Sequence, residues 1–259
     1  MKTTPFLLAL LLPALASAQK GQLVLTAGPA IPLGAFAATH DENREGYART
    51  GWHLGAAYER ARPGAFGWAL SAGVQVFGLD RETLAAQYGR MPFYQPVLTP
   101  GPGPAPSPYK TLPGWTVRKD SWIAVHLMGG VTRELRLGPG WTLNGKALVG
   151  AALLSPPALQ GAHRTDSTEA YLTRTAKNAF GLAYSVQAGL CRSLSARSFL
   201  HLGAGYSGTG TVRFSTQRSS FERWGAGGPT GGAASSSSTG SMRQQLSSGQ
   251  VSLGVGLRL

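Results

Sequence analysis

Apolar residues alternate one for one with small or polar residues along most of this chain, the period of a β-strand whose two faces meet different surroundings. Val251, Leu253, Val255, Leu257 and Leu259 interleave with Gln250, Ser252, Gly254, Gly256 and Arg258. Phe180, Leu182, Tyr184, Val186, Ala188 and Leu190 stand against Gly181, Ala183, Ser185, Gln187, Gly189 and Cys191. Ile123, Val125, Leu127 and Val131 oppose Ala124, His126, Met128 and Thr132, while Phe66, Trp68, Leu70, Val74 and Val76 oppose Gly67, Ser71, Gly73 and Gln75. The pattern predicts eight strands, over 22–31, 51–62, 65–79, 121–135, 141–154, 179–193, 198–214 and 245–259. Three connections are tight turns, at Arg62-Pro63-Gly64, Leu137-Gly138-Pro139-Gly140 and Ser195-Ala196-Arg197. The other four, 32–50, 80–120, 155–178 and 215–244, are far longer than hairpin loops. Short turns therefore gather at one rim, with both chain ends, and long loops at the other.

The two faces also identify the solvent. A water-soluble barrel of the lipocalin kind turns apolar side chains inward and charged ones outward, and a lipid-embedded barrel inverts this. Here the non-apolar faces are Gly, Ala and Ser with about one charge per strand, too small and too uncharged for a water-facing surface and suited to a narrow eight-stranded bore. Trp52, Tyr58, Phe66, Trp68, Trp122, Trp141, Phe180, Phe199 and Phe214 fall near strand ends, where interfacial girdles belong, although the alternation turns Trp122 inward. After residue 18 no run reaches the roughly 18 apolar residues of a spanning helix.

Residues 1–18 read as a secretory signal peptide: Lys2 near the start, an apolar run from Phe6 to Leu12, and Ala16-Ser17-Ala18 as the cleavage site. The expected organisation is signal peptide 1–18 and one barrel domain 19–259. Cys191, the single cysteine, excludes an internal disulfide and a Cys-x-x-Cys zinc cluster. The net charge of +13 would suit nucleic acid, but an exported chain does not meet it, and no nucleic-acid partner is expected.

Eight antiparallel strands with four long loops opposite the termini resemble the small outer-membrane β-barrels of Gram-negative bacteria, of the OmpA membrane-domain and OmpX type. The phrase Gly-Pro-Ala-Ile-Pro-Leu-Gly-Ala-Phe at 28–36 is similar to one that leaves the first strand in generic outer-membrane barrel domains, including the PorT-like group. The resemblance covers nearly the whole mature chain. It implies an all-β, up-and-down transmembrane barrel in a Gram-negative outer membrane, with short periplasmic turns, outer-membrane lipid as its surroundings, and the barrel-assembly machinery as a partner in biogenesis. That family's closing strand usually ends in an aromatic residue, and this one ends in apolar Leu259.

Chemistry is sparse. The five histidines show no i, i+2 or i, i+4 pairing that would aim two imidazoles at one ion, so no metal and no cofactor is expected. Outer-membrane lipid A deacylases place a serine-hydrolase trio on such a wall; here His201 points inward, and Glu59 and Glu134 sit near the short turns, so no enzyme is expected. Glu59, His126, Lys146, Arg213 and Arg258 fall on inward positions, forming the expected polar network of a plugged bore, with Glu134 beside it. The alternatives are a small transport pore and a lipid-modifying hydrolase. In the long loops, 100–108 is rich in Pro and 225–241 in Gly and Ser, and both read as extended or flexible coil. Phe93, Tyr94, Tyr109, Trp115, Phe221 and Trp224 are candidate anchors for an unknown surface ligand, giving a monomer with a structural or adhesion-like role. The long loops carry a net charge of +4 and the short-turn rim +6. At that rim Lys20, Arg60, Arg62, Arg133, Arg136, Arg192, Arg197 and Arg258 form a basic collar suited to lipid phosphates.

Overall fold

The computed structural model describes residues 21–40, 44–62, 64–90, 92–94, 109–111, 114–118, 120–165, 168–224 and 232–259, so the signal peptide, Lys20 and the segments 95–108 and 225–231 lie outside the described residues. The barrel strands are β1 (Gln22–Pro32), β2 (Ala48–Arg62), β3 (Ala65–Leu79), β7 (Ser121–Gly138), β8 (Trp141–Ser155), β11 (Ala179–Ser193), β12 (Ser198–Thr209) and β15 (Ser247–Arg258). They close in the order β1-β15-β12-β11-β8-β7-β3-β2, every pair antiparallel. The closing seam runs from Gln22 opposite Arg258 to Pro32 opposite Ser248. A backbone bond at each end extends it: Leu259 N–H donates to the Gly21 carbonyl at 2.9 Å, and Leu33 N–H to the Ser247 carbonyl at 2.9 Å. Two of the three tight turns carry a glycine in the left-handed region, Gly64 (φ 76°) and Gly140 (φ 73°), which a side chain would strain.

Among the described residues, the long connections are not all coil. Between them they hold α1 (Arg81–Arg90) and β4 (Pro92–Tyr94), β5 (Tyr109–Thr111), β6 (Thr116–Val117), β9 (Leu159–Arg164), β10 (Thr168–Ala176), β13 (Val212–Trp224) and β14 (Gly232–Gln244). Five of these form a second sheet in the order β14-β13-β10-β9-β6. Its order repeats that of β15, β12, β11 and β8, to which β14, β13, β10 and β9 are joined in sequence, so half of the barrel wall continues past the loop-side rim as an open sheet. The Ser-rich part of the segment expected to be coil, 232–241, is instead strand.

The predicted strand 198–214 is two strands, broken at Gly210 and Thr211, and the break changes the phase of the alternation. In β12 the odd positions Phe199, His201 and Ser207 are buried; in β13 the even positions Val212, Phe214 and Glu222 are. Phe199 and Phe214 are therefore interior residues, not members of a lipid-side girdle. Trp52, Phe66, Trp68, Trp141 and Phe180 are exposed on the outer wall, and Trp122 is buried as its phase requires.

The inner face of the open sheet is covered by α1. Leu84 and Tyr88 pack with Trp115, Val117, Leu159 and Leu172, joined by Tyr47 and Leu79 from the rim. Trp115 is therefore a core residue rather than an exposed anchor. Asp80 starts the helix: its Oδ1 accepts the Thr83 N–H at 3.2 Å and Arg49 Nη2 at 2.9 Å. Burial pushes the Asp80 carboxyl up, but the Thr83 and Arg49 hydrogen bonds outweigh it and hold the group below its ordinary value. A depressed carboxyl stabilises the fold above its unfolded pKa and loses that contribution as pH falls through its folded value. Asp80→Ala is expected to cost about 1 kcal/mol of local stability at neutral pH, read as faster hydrogen exchange of the α1 amides, with the difference vanishing in acid.

Candidate functional site

Side chains from the inward faces fill the bore in layers. Nearest the turns, Glu59 of β2 is 1% exposed and Lys146 of β8 is 6% exposed. Lys146 Nζ donates to Glu59 Oε1 at 2.7 Å. The other carboxylate oxygen accepts Asn144 Nδ2 at 2.6 Å and Gln22 Nε2 at 3.2 Å, and Gln22 also donates to Glu134 Oε1 at 2.7 Å. Two unlike charges inside a narrow bore thus neutralise each other, with amides occupying the remaining carboxylate lone pairs. At the same end Val24, Cys191 and Phe199 make a small apolar cluster. Phe199 lies against Gly256, where a Cβ would come within 2.0 Å of the ring.

Farther up, His53 of β2, His126 of β7 and His201 of β12 line one cavity of about 30 Å³ together with Lys146. Sequence spacing separates these three, and closure of the sheet gathers them. Among the described residues no three His, Cys, Asp or Glu side chains are grouped to hold a metal ion. Above the histidines, Gln75 Nε2 donates to Ser207 Oγ at 2.9 Å, Gln250 Nε2 donates to the same oxygen at 2.6 Å, and Ser207 and Ser248 share a bond of 3.0 Å.

An aromatic lid closes the loop side. Phe36, from a 3₁₀ turn (Gly34–Phe36) after β1, meets Phe77 at 5.0 Å and Trp122 at 5.5 Å between ring centroids, both edge to face. Trp122 meets Phe214 at 6.0 Å and anchors its Nε1–H on the Gly46 carbonyl at 2.8 Å. Met242 and Leu246 join the same cluster. Phe36 comes from a connection, so the alternation of the strands gave no sign of it.

Two residues expected in the bore lie elsewhere. Arg213 is on β13 in the open sheet, exposed, donating to Ser241 Oγ at 3.1 Å, because the phase change at 210–211 reverses its face. Arg258 is at the turn-side mouth. It donates to Ser193 Oγ at 2.8 Å and stacks 5.3 Å above the Phe199 ring, since the strand end has already cleared the interior. With Arg136, Glu134 and Gln22 it lines a vestibule of about 620 Å³. Of the other collar residues, Arg133 stacks on Phe66 at 5.3 Å and Arg192 on Trp141 at 4.8 Å, both on the outer wall. Arg60 and Arg197 are exposed at the same end, and the Arg62 side chain lies outside the described residues. The side chains of Phe93, Tyr94, Tyr109 and Trp224 also lie outside them, and Phe221 is exposed on the open sheet.

Removing one partner of a buried ion pair strands the other, whereas replacing both with apolar groups of similar size does not. Glu59→Gln is expected to lower barrel stability by about 3–5 kcal/mol in denaturant unfolding, with Glu59→Met/Lys146→Met recovering most of the loss.

No family model and no curated protein matches this chain. Similar solved structures include Neisserial surface protein A, at 10% identity and a TM-score of 0.38, covering 92% of this chain and 97% of that one. A major outer membrane protein from Thermus thermophilus is 11% identical with a TM-score of 0.45, covering 92% and 99%. Ail, the attachment invasion locus protein of Yersinia pestis, is 14% identical with a TM-score of 0.35, covering 93% and 100%. With TM-scores below 0.5, none of these likenesses bears on the role of the chain. The architecture implied by the resemblance in the sequence, an all-β closed barrel of eight antiparallel strands, is the one the chain has.

Proposed function

We propose that this chain is an integral outer-membrane barrel, monomeric and non-conducting, whose biological contact is made by the sheet and helix carried beyond the loop-side rim. The observation that carries this reading is the outer wall. Every barrel strand presents exposed large apolar side chains outward: Leu25, Leu54, Trp68, Leu127, Val149, Val186, Leu202 and Val255, one from each strand. In water such a belt would be an aggregation surface; in lipid it is the expected solvent-facing side. Exported through its signal peptide, the chain would be inserted by the barrel-assembly machinery with Leu259 at the end of the closing strand. The turns would then face the periplasm.

The filled bore argues against a pore, since eight strands leave room only for side chains and here those side chains interlock. A lipid hydrolase needs its histidine on the lipid face. Instead His53, His126 and His201 line the bore, His163 is buried, and His40 sits in a connection beside Glu45. The outward arginines Arg133 and Arg192, each stacked on an interfacial ring, would meet lipid phosphates at the periplasmic leaflet.

Refolded protein in planar bilayers is expected to give no stable single-channel current; large steady openings would contradict a closed bore. Replacing Arg133 and Arg192 together with Gln is expected to lower heat stability more in anionic lipid than in neutral detergent, and equal losses in the two media would remove the phosphate contact.

A further inference from the structure

We propose that the outward face of the open sheet is a binding platform for a neutral glycan, centred on the paired rings of Tyr171 and Phe221. This rests on the reading that the sheet stands outside the membrane. The strand register sets Tyr171 of β10 opposite Phe221 of β13, and Phe221 opposite Ser235 of β14. The next outward row is Thr173, Ser219 and Ser237, in the same order. Together these six side chains line a shallow groove of about 370 Å³. The two rings lie side by side, centroids 6.3 Å apart and planes 32° from parallel, so they form one continuous surface. They are 43% and 39% exposed.

That reading places this surface outside the hydrocarbon, and leaving two adjacent rings bare to water is unfavourable. Their surroundings decide what covers them. On a chain of net charge +13, the two rows that make the groove carry no ionisable group except the tyrosine phenol. The nearest charges on this face make up the next row toward the strand tips, where Glu169 stands opposite Arg223 and pairs with Arg164 at 3.1 Å, so the carboxylate is already engaged by a guanidinium. The groove itself therefore offers a charged ligand no partner, and the row beside it offers charges of both signs. The rings are flanked instead by the hydroxyls of Thr173, Ser219, Ser235 and Ser237, each able both to donate and to accept.

That combination suits a pyranose, which has a flat face of C–H groups and a rim of hydroxyls. Polarised C–H bonds are attracted to the negative face of an aromatic ring, and the sugar hydroxyls find donors and acceptors in the adjacent row. The serines of β14 are small enough to let a ring settle close to the sheet. An extended peptide, by contrast, would add through its backbone to the edge of β14, which carries no further strand among the described residues, and would not need the rings.

The test uses the full chain refolded in lauryldimethylamine oxide, because maltoside or glucoside detergents would compete for the groove. Maltotetraose, chitotetraose and lacto-N-neotetraose are titrated by saturation-transfer NMR and intrinsic fluorescence, with a heparin tetrasaccharide and a casein digest as charged and polypeptide comparators. At least one neutral tetrasaccharide is expected to bind saturably with a Kd of about 1 mM or tighter. Tyr171→Ser and Phe221→Ser should each weaken that binding about tenfold or more, while Tyr171→Phe, which keeps the ring, stays within about threefold of wild type. The proposal is overturned if no neutral tetrasaccharide binds up to about 10 mM, if only heparin or casein peptides bind, or if both serine variants bind as wild type does. Heat-modifiable migration is followed in every sample. Its absence in the wild-type protein would refute the membrane-barrel reading itself, and its presence alongside absent sugar binding would refute the glycan platform alone.

Discussion

In hydrocarbon a backbone N–H has no water to turn to, so a sheet that crosses lipid must pair its first strand with its last. Here that pairing is the seam between β1 and β15, in one register from Gln22 opposite Arg258 to Pro32 opposite Ser248 and interrupted at Gly28 and Pro29. Closure at eight strands sets a bore about one side chain wide, and this in turn selects the inward residues. Gly, Ala and Ser fill most of the wall, the charged pair Glu59 and Lys146 meets because a charge buried in the bore needs an opposite one beside it, and four aromatic rings suffice to cover the loop side. Between the two rims the outward positions call for apolar side chains, and every strand supplies large ones there.

The barrel was legible in the sequence because each of its strands separates two unlike environments. Period two follows directly, and the strands 65–79 and 179–193 have the predicted bounds. Beyond the rim that contrast weakens. β14 has Ser235, Ser236, Ser237 and Ser238 exposed in succession, so neither face carries an apolar mark and the segment reads as coil although its backbone is fully paired with β13. β10 does alternate, with Ala170 and Leu172 buried and Tyr171 exposed between them, but it is short. The phase slip at Gly210 and Thr211 explains the misplacement of Arg213: extrapolating the odd inward positions of β12 across the break assigns the wrong face to everything after it.

Contacts across the bore depend on register and closure, which one-dimensional spacing does not contain. The inward positions of Glu59 and Lys146 could be read from alternation; that Lys146 would reach Glu59, 87 residues away, could not. The same holds for His53, His126 and His201, scattered in sequence and gathered round one cavity by the rolled sheet. Phe36 marks the limit from the other side, a lid residue supplied by a connection and fixed by packing on Phe77 and Trp122. The parts that distinguish this molecule from a bare barrel, its lid and its open sheet, are thus those with the weakest signature in the chain.

The inverted wall is the central claim, and consecutive spin labels along β15 test it most directly. With Cys191→Ser as background, single cysteines at positions 250–257 are labelled in the refolded, lipid-embedded protein, and their accessibility to oxygen and to a water-soluble nickel chelate is compared. The account predicts a period of two, with positions 251, 253, 255 and 257 reached by oxygen from the lipid and shielded from nickel, and the positions between them shielded from both. Labels at Leu253 and Val255 that nickel reaches as readily as oxygen would place the apolar face in water and contradict it.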